Sequence, residues 1–350
     1  RLTGDAYFDL LDEFVAAVKK RWPKAIIQWE DFAKDTAFAV LERYRKQIPS
    51  FNDDIQGTGA VVLAGLLNAC KLKGETLSQQ RIVVVGAGAG GVGVSKVIQD
   101  GLVHEGLTRE QARSQMFIVD EFGLVIEGIS QDEYKKPIMQ SPANCEGWET
   151  KCEIPSLLEV IHNVKPTAIL GLTGVSGLFT ERVIQAVAEY NKKPIIFPLS
   201  NPTSNVEAIP EDIFNWCSMI NTGADAYPII ASGSPFPNGQ GNNAFIFPGL
   251  GFACSLGECK EITESLIIES AHALADYTSK HHLEDGRIYP PIAELQSVSQ
   301  DITERVMKLM LDQGLVRNKE ITFENYIEKI AENSWKAEYL PFVAADKNES

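Results

Sequence analysis

Uninterrupted apolar runs of the roughly 20 residues that a bilayer-spanning helix needs are missing from this 350-residue sequence, so no membrane partner is expected. Basic charge is scarce as well: 32 Lys and Arg stand against 47 Asp and Glu, a net charge of −15. A surface that neutralises phosphates needs the opposite balance, which argues against nucleic acid as a partner. The six cysteines (Cys70, Cys145, Cys152, Cys217, Cys254, Cys259) are scattered. Only Cys254 and Cys259 come close to a zinc spacing, and no second pair accompanies them, so a structural zinc is not expected and ordinary thiols of a reducing compartment are. The opening Arg1–Asp5 has no initiator Met, no basic-then-apolar signal and no transit-peptide pattern, and reads as the start of a processed or excised piece. The cytoplasm and the mitochondrial matrix both stay open as compartments. There is no internal repeat and no low-complexity tract. What remains is an ordinary globular composition, 44% hydrophobic and 23% charged, long enough for one large core or two smaller ones.

Periodicity organises the chain. Residues 6–20 place Phe8, Leu11, Val15 and Val18 on one helical face. Ala25–Trp29 reads as a short strand ending at Glu30-Asp31, followed by a helix over about Thr36–Lys46 and a polar loop over Ser50–Asp54. From Gly57 to Leu72 the residues are small and apolar all round, which predicts a helix buried on most sides. Strand-like runs then recur at Arg81–Val85, Met116–Val119, Thr167–Leu170, Pro194–Phe197 and Pro228–Ala231. Helical stretches separate them near Val92–Val103, Leu157–Val164, Thr180–Tyr190 and Pro210–Trp216. Continuous apolar strands alternating with amphipathic helices predict an α/β fold with a parallel sheet covered on both faces. From about Gly249 the pattern is helical, with Thr263–Tyr277, Ala293–Gln313 and Phe323–Trp335, and Ala344–Ser350 reads as a frayed end.

Directly after the strand Ile82–Val85, Gly86, Gly88 and Gly91 fit G-x-G-x-x-G. The first glycine permits the tight turn, the second lets the backbone approach a pyrophosphate, and the third lets helix and strand pack closely. The helix N-terminus adds free N–H groups and a positive dipole end. Alone this motif is weak, but its place between a strand and a helix predicts a Rossmann-like, doubly wound dinucleotide-binding sheet. Asp120 ends the second strand, where an acid holds the adenosine ribose, the spacing being long because Glu105–Gln115 extends the helix and its loop. Asp120-Glu121 favours NAD electrostatically; Lys135 and Lys136 within reach would reverse that towards NADP.

Two acidic pairs precede this region: Glu30-Asp31 after a strand, and Asp53-Asp54 before the buried helix. Hard oxygen ligands suit Mg²⁺ or Mn²⁺. Adjacent acids on an extended backbone point to opposite faces, so Glu30 and Asp31 can share one ion only where the strand has ended and the chain turns. By spacing alone, capping or solvated acids are the better reading, and the motif is too short to carry a metal by itself.

Ordered blocks carry the identification further: Gln28-Trp29-Glu30-Asp31-Phe32, Phe51-Asn52-Asp53-Asp54-Ile55-Gln56-Gly57-Thr58, Gly86-Ala87-Gly88, Pro198-Leu199-Ser200-Asn201-Pro202-Thr203, Ala231-Ser232-Gly233-Ser234-Pro235-Phe236, Gly239-Gln240-Gly241-Asn242-Asn243 and Gly286-Arg287-Ile288-Tyr289-Pro290-Pro291. In this order, from Arg1 to about Tyr339, the sequence resembles the malic enzymes. The resemblance implies oxidative decarboxylation of L-malate to pyruvate and CO₂ with reduction of NAD or NADP, dependent on Mn²⁺ or Mg²⁺. It implies Glu30, Asp31 and Asp54 as metal ligands, with Asp53 tuning their charge. Asn201 and Asn243 become malate-contacting amides near the nicotinamide; read without the family, Asn201-Pro202 is a turn and Asn242-Asn243 a helix cap. Thr58, Thr173, Gly174 and Ser200 join Gly86, Gly88, Gly91, Asp120 and the two amides on the cofactor. The domains implied are 1–57, the end of a metal-bearing catalytic domain; 58–275, the dinucleotide-binding domain; and 276–350, a helical segment. A homodimer or homotetramer is the implied assembly.

Two departures from the family stand out. Its Tyr general acid, Lys general base and malate-gripping Arg precede the part that this sequence matches, and no residue here corresponds to them; Lys71, Lys96 and Tyr134 read as surface residues. The Ser234–Gly239 link is shorter than is usual in the family. Two rival readings accompany the main one: a malolactic-type decarboxylation to lactate, which releases no reduced cofactor, and a non-catalytic dinucleotide-binding module.

Overall fold

In the computed structural model, residues 2–130, 132–223, 225–339 and 341–342 are described, except for the side chains of residues 34 and 35. The stretch read as a frayed end lies outside the described residues.

Five of the strands anticipated from continuous apolar runs form one sheet: β3 (Ile82–Val85), β4 (Met116–Asp120), β6 (Ala168–Gly171), β7 (Ile195–Pro198) and β8 (Ile229–Ile230). The order is β4-β3-β6-β7-β8, all parallel, and a two-residue strand, β5 (Gly123–Leu124), extends the β4 edge in the antiparallel sense. Alternate side chains divide between two cores, as strand geometry requires. Ile82, Val84, Ile118, Leu170 and Phe197 enter one; Val83, Val85, Phe117, Val119 and Ile169 enter the other. Burying each β-branched or aromatic residue contributes about 1.5–3 kcal/mol, so coverage of both faces explains why these runs show no polar alternation.

The second core is closed by α6 (Leu157–Val164), α7 (Glu181–Ala188) and α8 (Pro210–Ile220). The first is larger and is closed by α3 (Thr58–Lys73), α4 (Ala89–His104) and α10 (Glu264–His281). It continues into α1 (Asp5–Arg21), α2 (Lys34–Tyr44), α9 (Phe247–Leu256), α11 (Leu295–Asp312) and α12 (Tyr326–Asn333). The α1 face read from the sequence packs as anticipated, with Val15 buried and Phe8, Leu11 and Val18 against it. The stretch Asp53–Lys73 is long and apolar enough to cross a membrane by composition, but it is the central helix of this core, buried without interruption from Gly59 to Cys70. Its glycines let neighbours in: a Cβ on Gly65 would lie 2.2 Å from the Tyr289 hydroxyl, which donates to the Val61 carbonyl at 2.8 Å.

Four sequence expectations need correction. The Ser50–Asp54 loop is partly a buried strand, β2 (Ser50–Asn52), parallel to β1 (Ile27–Trp29). The connection over Glu105–Gln115 is not an extension of α4; the chain turns at Gly106 (φ 101°) and starts α5 (Arg109–Ser114) behind a Thr108 cap. Tyr134 is no surface residue: it is half-buried, stacks on Phe38 and donates to the Ala87 carbonyl. Lys96 likewise packs over the Phe38 ring, whereas Lys71 sits at the surface on Asp276, 3.3 Å away. All six cysteines are free thiols.

Candidate active site

The two acidic pairs meet because their strands do. Parallel pairing of β1 with β2 sets Trp29 opposite Asn52, so the residues that follow each strand emerge side by side. Asn52 then starts a wide helical turn over Asp53–Gly57: its Oδ1 accepts from the Ile55 N–H at 2.9 Å, while its own N–H donates to Gln56 Oε1 at 3.0 Å. Across the gap, Asp31 adopts φ 58°, the left-handed region that Asp tolerates better than most residues. The strand has therefore ended and the chain turns, the condition for Glu30 and Asp31 to converge. The Asp31 N–H donates to Asp54 Oδ2 at 3.0 Å, and carboxylate oxygens of Glu30, Asp31 and Asp54 lie within 4.8 Å of one another.

Three carboxylates this close repel one another unless something positive intervenes. None of the described ion pairs involves them. On the two strands that precede them, the buried Trp29 Nε1, Ser50 Oγ and Asn52 Nδ2 have no hydrogen-bond partner among the described residues. Three exposed or half-buried hard oxygens, uncompensated and converging, fit an oxygen-seeking divalent cation such as Mn²⁺ or Mg²⁺. Asp53, behind them, is buried; burial first, then the charges of Glu30 and Asp54, push its carboxyl up to about 7. Asn243 Nδ2 donates to Asp53 Oδ2. Asn242, not Asn243, is the cap, accepting from the Ala244 N–H at 2.9 Å, which leaves Asn243 available to the acids. Thr58, which opens α3, reaches back to the Asp53 carbonyl at 3.4 Å, linking the first turn of that helix to the acid-bearing turn.

The glycine turn follows β3 and opens α4. Gly86 takes φ 111°, and a Cβ there would sit 2.3 Å from the Leu172 carbonyl oxygen. A Cβ on Gly91 would meet the Gly86 oxygen at 1.9 Å, whereas Gly88 has no atom within 4 Å of that position. The three glycines thus serve turn, ligand approach and helix–strand packing respectively. No side chain caps α4, so its first N–H groups face outward for an anion. Beside the turn lies a cavity of about 850 Å³, walled by Gly86, Ala87, Asp120, Tyr134, Lys135 and Thr173 among others, a size suited to a nucleotide.

Asp120 stands at the cavity with both oxygens engaged: Oδ1 accepts from the Phe122 N–H and Oδ2 from Lys135 Nζ, each at 2.9 Å. Lys135 also reaches Asp132 at 2.7 Å; burial works against its charge, but the bonds to Asp132 and Asp120 prevail and hold it well above the usual lysine range. Lys136 points away, exposed on Glu133. Gly174 donates its N–H to Ser200 Oγ at 2.8 Å, joining the loops after β6 and β7, and Asn201 is exposed just beyond. The short Ser234–Gly239 link is a closed turn: Ser232 donates its N–H to the Gly239 carbonyl at 2.8 Å, and Gly239 its own to Phe236. Sequence reasoning missed the Lys135–Asp120 pairing, and it missed Glu207, buried beneath both loops; a lone acid in the apolar stretch Val206–Ile209 was the available signal.

Comparison with known proteins identifies the family. Residues 55–311 match the family described as "Malic enzyme, NAD binding domain", and residues 1–45 match "Malic enzyme, N-terminal domain". The NAD-dependent malic enzyme of Shewanella frigidimarina is 42% identical over 343 residues, 97% of this chain and 61% of that protein; that of Aliivibrio fischeri is 41% identical over the same shares. The chain therefore spans about 61% of the length of these curated relatives. Among solved structures, malic enzyme from Pyrococcus horikoshii aligns with a TM-score of 0.71 and 26% identity over 92% of this chain and 71% of that one. Malic enzyme of Entamoeba histolytica aligns at 0.73 and 23% identity, over 93% and 62%, which speaks for the fold. With a family match across most of its length and these relatives beside it, this chain belongs to the malic enzyme family.

Proposed function

We propose that the protein containing this chain oxidises L-malate with NAD and decarboxylates it to pyruvate and CO₂, using Mn²⁺ or Mg²⁺ held by Glu30, Asp31 and Asp54. The observation that carries this reading is how closely the acids sit to the dinucleotide turn: a Cβ on Gly93, two residues past the fingerprint, would lie 2.7 Å from Ile55, in the middle of the acid-bearing turn. That contact fixes the cation ligands against the helix that receives the pyrophosphate, which is what hydride transfer from a metal-held hydroxy acid needs.

In this division of labour, residues 1–57 contribute the cation ligands, 58–275 the dinucleotide sheet and 276–350 the helices that buttress it. A divalent cation, when bound, supplies Lewis acidity towards hydroxyl and carboxylate oxygens. Asp53 keeps a fourth carboxyl behind the ligands, and Asn243 orients it through a neutral amide that does not change protonation in turnover. Asn201 joins Asn243 on malate near the nicotinamide. Thr58, Gly86, Gly88, Gly91, Asp120, Thr173, Gly174 and Ser200 carry the dinucleotide. On α1, Leu10 and Phe14 leave an apolar stripe exposed, which supports self-association as a homodimer or homotetramer.

Titrating the chain with NAD, with and without Mn²⁺ and malate, tests the reading through tryptophan fluorescence. Malate binding that requires Mn²⁺ is expected; NAD binding with no effect of Mn²⁺ on malate contradicts it. In the whole enzyme reduced cofactor must accumulate, and lactate formed without it would point to malolactic chemistry instead.

NAD is preferred over NADP in this reading. Lys135, the one cation facing the ribose acid among the described residues, is already shared between Asp120 and Asp132, so a 2′-phosphate meets net negative charge. Asp120→Ala releases Lys135 from one of its two acids and removes the ribose acceptor. NAD affinity should fall about tenfold, and the NADP-to-NAD affinity ratio should rise at least as much, about 1.4 kcal/mol. An unchanged ratio in paired titrations refutes the assignment.

A further inference from the structure

The loops that follow β6 and β7 are stitched together from below by one buried acid. Glu207 is completely inaccessible, and none of the described ion pairs involves it. Four donors converge on its carboxylate: Oε1 accepts from the Thr173 N–H and the Thr173 hydroxyl, both at 2.8 Å, and from the Ser200 hydroxyl at 2.5 Å. Oε2 accepts from the Ser200 N–H at 3.3 Å. The chain of bonds runs on, for Ser200 Oγ accepts from the Gly174 N–H and Thr173 Oγ1 from the Val175 N–H at 3.0 Å. Gly171 belongs to the same device, since a Cβ there would lie 2.6 Å from the Glu207 carboxyl carbon. A buried carboxylate without a cation is costly unless donors replace its water, and here they come from both loops at once. A core position that needed only volume would be cheaper filled by an apolar side chain.

We infer that Glu207 is a positioning residue for the nicotinamide half of the dinucleotide, setting Thr173, Gly174 and Ser200 in the loops after β6 and β7. The assignment rests on the dinucleotide reading above. Its location follows from the sheet: Asp120 at the end of β4 marks the adenosine side, and β6 and β7 lie across β3 from it, where a doubly wound sheet holds the other half of its ligand. Thr173 touches the cavity wall directly, so Glu207 acts through it without meeting the ligand.

Glu207→Gln keeps the shape but turns one acceptor oxygen into a donor. Whichever way the amide lies, it then opposes the N–H of Thr173 or of Ser200. NAD and ADP would be titrated into the chain and the E207Q variant, with thermal unfolding followed alongside. NAD affinity should fall at least tenfold, while ADP, which lacks the nicotinamide half, binds within about twofold of the wild type. Ser200→Ala, which removes only the bridging hydroxyl, should give the same selective loss in smaller measure and serves where E207Q does not fold. Equal NAD affinity in the variants, or loss of NAD and ADP together, overturns the positioning role. A wild-type chain that binds neither nucleotide overturns the dinucleotide reading itself, and this assignment with it.

Discussion

Asp54→Asn weakens Mn²⁺ binding by at least about 100-fold, some 2.8 kcal/mol. The expectation follows from the convergence of three carboxylates in the absence of any described cationic partner: removing one charge from a set of three hard ligands takes away both a ligand atom and a third of the attraction. The fold should not suffer. Asp54 is half-buried, its amide oxygen can still accept from the Asp31 N–H, and one source of like-charge repulsion disappears. Thermal stability without metal is therefore unchanged or slightly higher. Asp53→Asn provides the contrast. Asp53 lies behind the ligands, tied to Asn243, so its loss acts through orientation and should cost about tenfold, as changes to groups supporting a metal ligand do. Electron paramagnetic resonance of free Mn²⁺ reads both affinities directly. Wild-type affinity in Asp54→Asn would remove these acids from the metal site; a larger loss in Asp53→Asn would exchange the two roles.

Much of the sheet can be read from the sequence because burial on both faces erases alternation. Ile82–Val85, Ala168–Leu170 and Ile195–Phe197 are continuous apolar runs for a physical reason, with successive residues entering the two cores in alternation. What escaped was short or polar. β2 reads Ser-Phe-Asn and hides as a loop, yet its pairing with β1 aligns the acids; a three-residue strand has no periodicity to detect, and its register depends on a partner 23 residues away. β5 has two residues and no pattern of its own. The metal acids divide along the same line. Their spacing permitted a site, but whether Glu30 and Asp31 converge depends on the left-handed turn at Asp31, a backbone choice that the side-chain sequence does not encode. Family resemblance supplied those ligands; the geometry supplies the reason they converge. Glu207 was hidden for a third reason. Its partners are backbone N–H groups and hydroxyls from loops 7 and 34 residues away, and such bonds leave no charge pair or motif in the sequence.

The glycine turn gives the second large effect, because two of its glycines should respond in opposite ways to the same methyl group. At Gly91 an added Cβ would stand 1.9 Å from the Gly86 carbonyl, backbone against backbone, with no flexible side chain to yield. Helix α4 must then lift from the strand end, and Gly91→Ala should lose about 3 kcal/mol or more, a fall in Tm of roughly 6–12 °C. Gly88 is different. Its φ of −78° and ψ of −169° suit alanine, and no atom lies within 4 Å of the new Cβ, so Gly88→Ala should fold at least as stably as the wild type, helped by a less flexible unfolded chain. The open space is where the backbone must come close to a pyrophosphate, and a methyl group there holds the ligand off the N–H groups of the first turn of α4. Gly88→Ala should therefore lose about 2 kcal/mol of NAD affinity, roughly 30-fold, with Tm unchanged. Paired calorimetric titration and thermal unfolding of the two variants separate the jobs: one glycine is required by the fold and the other by the ligand. Full NAD affinity in Gly88→Ala would mean that the dinucleotide does not approach along this turn.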